Sequence, residues 1–190
     1  MTPTAGDHAA LLVMDVQEGV VARSVRDAHY MKRLSQAIVG ARKTATQVIY
    51  VKVAFRDGHP EVSPRNRLFS GMPYLDQLAE TAAASQIVPA IAPLPGDIIV
   101  TKRRVSAFSG SDLEIVLRAS DTQLLILAGI ATSGVVLSTV REASDRDYRL
   151  VVLSDCCADS DPELHDVLVR KVFPRQAEVM TGREWLSEAG

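Results

Sequence analysis

Residues 123–136 read QLLILAGIATSGVV, an apolar run that ends in a small-residue turn and passes into a helix. The run Gln123–Ile130 has no helical period, as expected of a strand buried on both faces, and Ser133–Asp147 reads as the helix that follows. The same alternation repeats on either side. Ala9–Val16 (AALLVMDV) is a second buried strand, and Gln47–Phe55 (QVIYVKVAF) is a third, rich in β-branched and aromatic residues. Asp97–Lys102 (DIIVTK), Arg149–Ser154 (RLVVLS) and Ala177–Thr181 complete the set. Asp27–Thr44 carries Met31, Leu34, Ile38 and Ala41 at helical spacing. Further helices are predicted at Tyr74–Ser85, at Ser111–Ser120 with a Ser109 or Ser111 cap, at Pro162–Lys171 and at Arg183–Ala189. Arg56–Pro73 reads as a long surface loop, and Pro89, Pro93 and Pro95 break the chain before the next strand. Six strands alternating with helices predict a three-layer α/β/α fold, Rossmann-like, with a mostly parallel sheet and right-handed crossovers. No repeat or low-complexity linker interrupts the pattern, so residues 1–190 read as one domain.

A chain of 190 residues suits one such domain and is long enough to bury a sizeable core. Its composition, 47% hydrophobic against 23% charged, excludes a disordered or fibrous chain. Lys and Arg total 21 against 23 Asp and Glu, so no basic field invites nucleic acid. The basic cluster Lys102-Arg103-Arg104 has no interleaved aromatic residues and reads as solvated or site-lining. The two cysteines, Cys156 and Cys157, are adjacent and fit neither a disulfide framework nor a zinc spacing. The N-terminus lacks the pattern of a signal peptide, and no apolar run is long enough for a membrane span, so a soluble cytoplasmic protein is expected.

In an open parallel sheet, ligands bind beyond the carboxyl ends of the strands, near the point where strand order reverses. Asp15 stands at such an end (LLVMD), where a partly dry cleft raises a carboxyl into the acid/base range; a capping or surface Asp is the plainer reading. Lys102 ends another strand (IIVTK) and carries an ammonium able to pair with a carboxylate or bind an anion; a snorkelling surface Lys is the alternative. The turn at 129–136 offers backbone N–H groups at a helix start. It is not G-x-S-x-G, so the serine-hydrolase motif fails.

Asp15, Lys102 and the GIATSGVV turn, in that order, resemble the isochorismatase-like hydrolase superfamily of cysteine hydrolases, and the likeness extends over nearly the whole chain. VMDVQ at 13–17, KRRVSAFSGSDLEIVLR at 102–118 and STVREASDRDYRLVVLSDCCAD at 138–159 support it. The resemblance implies a six-stranded parallel sheet between helices, with Asp15 as general acid/base and Lys102 orienting and stabilising charge. It further implies a non-proline cis peptide at Ile130–Ala131 and substrate contacts from Gln17, Arg103, Phe108, Ala131, Thr132, Ser133 and Gly134. A homo-oligomer, dimer or tetramer, is expected on the same ground, with a small molecule as substrate and no cofactor.

The departure from the family pattern is at Val135, which stands where the nucleophilic cysteine of G-[VI]-x-T-x-x-C-V belongs. Valine cannot attack a carbonyl, so hydrolysis through an acyl-thioester is excluded. Cys156 and Cys157 follow the next strand instead of this turn, and Thr132 and Ser133 have no histidine close behind them in sequence. Vinyl-ether hydrolysis needs a proton on an enol carbon and then water, which an acidic Asp15 supplies without a covalent intermediate. Water-mediated amide hydrolysis with Asp15 as base is a second route, and a ligand-binding pseudoenzyme is a third reading. Lys102 and arginines such as Arg65, Arg103 and Arg104 are candidates to hold substrate carboxylates. Asp57-Gly58-His59 has the spacing of a metal pair, but two ligands leave a site incomplete; FRDGHPEVSPRN reads as a substrate-facing loop. His8, His29 and His165 read as ordinary surface or helix histidines.

Overall fold

The computed structural model describes residues 8–189; residues 1–7, part of the stretch read as lacking a signal peptide, and Gly190 lie outside it. The strands are β1 (Ala9–Met14), β2 (Gln47–Val53), β3 (Ile98–Lys102), β4 (Leu124–Ile130), β5 (Arg149–Ala158) and β6 (Glu178–Met180). They form one sheet in the order β3-β2-β1-β4-β5-β6, with every neighbouring pair parallel. Every residue of β1 and β4 is buried, which explains why both read as unbroken apolar runs.

The helices are α1 (Glu18–Ser24), α2 (Tyr30–Lys43), α3 (Arg67–Ser70), α4 (Leu113–Ala119), α5 (Leu137–Asp145), α6 (Pro162–Val167) and α7 (Gly182–Ala189). Side chains on successive strand residues point to opposite faces. Ala10, Leu12 and Met14 accordingly join a core with Leu113, Leu117, Val140 and Phe173. Leu11 and Val13 join the other core, with Leu34, Ile38 and Trp185. These two cores separate the three layers.

The chain runs outward from β1 to β3, returns to place β4 beside β1, and runs outward again, so its order reverses between β1 and β4. At that point Gly129 (φ +148) faces Met14, and a Cβ there would lie 2.2 Å from the Met14 carbonyl oxygen. Only glycine lets these two strands approach so closely.

Several local expectations need correction. Tyr74–Ser85 is not an α-helix but two short 3₁₀ turns, Leu75–Leu78 and Ala83–Ser85. Its backbone is drawn off into tertiary bonds: Phe55 N–H donates to Leu78 O at 2.9 Å, and Glu80 N–H donates to Phe55 O at 2.9 Å. β5 continues four residues past Ser154, to Ala158, with an irregular register against β4 between Leu127 and Gly129. The helix α1, unread in the sequence, follows directly on β1. Neither Ser109 nor Ser111 is the expected cap: α4 starts at Leu113 with Asp112 at its N-cap and no side-chain cap bond, while the Ser111 hydroxyl accepts from Leu113 N–H at 3.3 Å and the Ser109 hydroxyl donates to Glu142.

Candidate active site

Asp15 is the first residue past β1 and Lys102 the last of β3, so one strand, β2, lies between them. Strands are spaced about 4.8 Å apart, and the long lysine stem is what spans the gap. Lys102 Nζ reaches Asp15 Oδ2 at 2.8 Å and also donates to Arg104 O at 3.0 Å. The two side chains are 2% and 9% exposed, so the ion pair is sealed from solvent. Asp15 has φ +55, a left-handed conformation uncommon outside glycine, and its N–H donates to Val51 O at 2.8 Å. Backbone strain of this kind costs on the order of 1–3 kcal/mol and clusters at functional positions.

Burial pushes the Asp15 carboxyl above its ordinary range. The Lys102 charge, its hydrogen bond and the nearby Val53 N–H pull the other way without cancelling that shift. Asp15 Oδ1 is buried with no hydrogen-bond partner among the described residues. The pair thus holds a carboxyl that is costly to ionise and has one oxygen uncommitted, the properties of a proton-transfer group.

The turn after β4 lies next to Asp15 at the sheet's reversal. Ile130–Ala131 is a cis peptide, and Thr132–Val136 winds as a single π-helical turn into α5. Val135 is 2% exposed and packs into the core with Val136 and Val140. The N–H groups expected to cradle an anion are partly engaged already: Ser133 N–H donates to Asp159 Oδ2 at 2.8 Å and Gly134 N–H to Ala131 O at 3.1 Å. Thr132 is fully buried, and its hydroxyl shares a 2.8 Å hydrogen bond with His165 Nδ1. His165, expected to be an ordinary surface or helix histidine, instead reaches the turn, and Asp159 is a partner the sequence reading did not single out. The signals were there: Asp159 follows a strand end as Asp15 does, and an Asp161-Pro162 helix start sets the phase of α6, which carries His165.

Three residues expected to contact substrate are engaged within the chain. Gln17 is fully buried; its Nε2 donates to Val53 O and Ser85 O, and its Oε1 accepts from Val53 N–H, so it braces β2 and the loop before β3. Arg103 is committed to Ala54 O and Glu80, with Glu61 at 3.6 Å. Phe108 stacks on Tyr148 (centroids 5.9 Å) beneath the Arg146 guanidinium. Of the other arginines, Arg104 Nη1 donates to Arg103 O at 2.6 Å, while the Arg65 side chain has no partner among the described residues.

Burial pushes both thiols up, Cys157 to about 12, which makes them inert core groups. His59 lies 3.6 Å from Asp76, and no group of three or more His, Cys, Asp or Glu side chains among the described residues is arranged to hold a metal. No helix among these residues is long and apolar enough to cross a membrane.

A doubly wound parallel sheet with a buried carboxylate beside its reversal point presents the crevice in which open α/β folds bind their ligands. The isochorismatase domain model matches residues 9–184, and the chain belongs to the isochorismatase family of hydrolases. It is 31% identical over 180 residues to the isochorismatase family protein YwoC of Bacillus subtilis, covering 94% of this chain and 93% of YwoC. It is also 31% identical over 178 residues to the ureidoacrylate amidohydrolase RutB of Stutzerimonas stutzeri, covering 82% of this chain and 72% of RutB. The structure of an isochorismatase family protein from Burkholderia thailandensis superposes with a TM-score of 0.82 at 27% identity, covering 98% of this chain and 97% of that one.

Proposed function

We propose that this chain hydrolyses a small anionic metabolite, an amide or a vinyl ether, with Asp15 as general acid/base, Lys102 as its charge partner and no thiol nucleophile. The observation that carries this reading is the sealed 2.8 Å Asp15–Lys102 pair, whose Oδ1 is uncommitted, beside a turn bearing Val135. With an amide, the Asp15 carboxylate takes a proton from water as the water oxygen bonds to the carbonyl carbon. The carboxyl then returns that proton to the leaving nitrogen as the C–N bond breaks. With a vinyl ether, the carboxyl gives its proton to the terminal enol carbon, and water adds to the resulting cation before the C–O bond to the leaving alcohol breaks. Both routes use a carboxyl raised above its ordinary range, and neither needs an enzyme-bound intermediate. The amide route has the further support that the relative RutB is named an amidohydrolase.

The test is product formation from a panel of isochorismate, ureidoacrylate, nicotinamide and biuret, with wild type beside Asp15→Asn. Turnover of one compound that falls by about 10² or more in the variant is the expected result. Turnover indifferent to Asp15→Asn overturns the assignment. Silence across the panel, with a panel compound still bound by the variant, favours a ligand-binding role instead.

A further inference from the structure

The corner between β5 and α6 grips the turn after β4 at two consecutive residues. Asp159 Oδ2 accepts the Ser133 N–H, and its Oδ1 accepts the Asp161 N–H at 3.2 Å. Asp161 in turn caps α6 through the N–H groups of Glu163 (3.0 Å) and Leu164 (3.1 Å). That cap fixes the helix turn from which His165 reaches Thr132. Thr132 is fully buried, and its hydroxyl ties the turn to α6 through this bond. The imidazole also lines a cavity of about 240 Å³ over the end of β5, so solvent protons reach the region of the ring.

We propose that His165 is a positioning residue: its neutral ring accepts the Thr132 hydroxyl at Nδ1 and holds the turn, and protonation of the ring forces that bond to reverse and shifts the turn. The consequence for turnover rests on the reading above, in which the turn borders the reaction centre. The tether itself does not. Protonation would make Nδ1 a donor only, so the Thr132 hydroxyl would have to turn and accept from it, leaving its own buried proton without a partner. Burial lowers the ring's proton affinity, and the facing carboxylates Asp166 and Asp159 raise it. Around the same cavity, Arg33 is paired with Asp27 at 2.5 Å and Asp155 at 3.5 Å, which leaves Arg26 from the α1–α2 connection as the remaining cation. The net effect places the ring below the ordinary histidine range.

Nitrogen-15 NMR of the full chain from about pH 5 to 8 tests this on wild type, His165→Asn, His165→Ala and Thr132→Val. The asparagine amide stands where Nδ1 does and does not titrate, so it should keep the turn in place. Wild type should show the Nε2–H tautomer, with the amides of residues 131–135 shifting in step with the His165 ring. His165→Asn should hold the wild-type high-pH positions at every pH. His165→Ala and Thr132→Val should displace the turn at every pH and abolish its titration. On any panel compound turned over, kcat should fall on the acid side at the ring's midpoint with KM little changed, and His165→Asn should lack that limb. An Nδ1–H tautomer, or turn amides that ignore the ring, overturns the proposal. A turn that follows the ring in a protein with no hydrolase activity leaves the tether standing and removes the reaction.

Discussion

Replacing Lys102 with methionine keeps most of the stem and removes the charge that Asp15 faces at 2.8 Å. At that distance, with an effective dielectric of about 20, the attraction is worth about 6 kcal/mol before desolvation is charged against it. Breaking a buried pair by removing one partner costs about 3–5 kcal/mol, because the other charge is stranded. Asp15 has an escape: it can take up a proton. The sign of the pH dependence follows. A carboxyl whose folded pKa lies above its unfolded value contributes most below the unfolded value, and that contribution is lost as pH rises until the folded pKa is passed. In wild type that loss stops once pH exceeds the raised Asp15 value. Without Lys102 the folded value rises much further, and the loss continues at about 1.4 kcal/mol per pH unit. Between the wild-type and the variant Asp15 values the variant should therefore fall behind wild type by about a further 1.4 kcal/mol for each pH unit. Urea unfolding at several pH values, with m held as a check on two-state behaviour, reads this directly. The double variant Asp15→Asn/Lys102→Met should show no such slope. Parallel curves for Lys102→Met and wild type would refute the argument, since Asp15 would then remain ionised without its partner.

Gly129→Ala should cost at least 1–3 kcal/mol, roughly, because the new methyl meets backbone at 2.2 Å and the φ of +148 is unsuited to alanine; thermal or urea unfolding measures it. Neither Cys156 nor Cys157 should react with a thiol reagent at about pH 8 in the folded protein, since both are buried and Cys157 is pushed up to about 12; both should react in denaturant.

The strands and the sheet were legible in the sequence because both faces of β1 and β4 are covered, which makes them continuous apolar runs. Asp15 and Lys102 were legible for the converse reason: a charge that ends such a run has to be paired or used. What was not legible depended on contacts between distant segments. The Tyr74–Ser85 stretch has helix-forming alanines, yet its backbone bonds to Phe55 prevail over local propensity. The far end of β5 carries Asp155 and two cysteines where an apolar run would mark a strand, so its extension was invisible to patterning. Gln17 and Arg103 were located correctly in the chain, but their hydrogen bonds go to Val53, Ser85, Ala54 and Glu80, partners no spacing rule supplies. His165 lies thirty-three positions from Thr132, so only the tertiary fold brings the two together.

On the proposed function, the fold holds Asp15 as a carboxyl ready to exchange a proton, with Lys102 as the counter-charge. Carbon-13 NMR titration of aspartate carboxyls, with the Asp15 signal assigned by its loss in Asp15→Asn, measures that state at the atom concerned. A midpoint above the ordinary 3.8, moving higher still in Lys102→Met, is the expected result. A midpoint at or below 3.8 in wild type would contradict it, because Asp15 would then be a fixed anion and not a proton-transfer group.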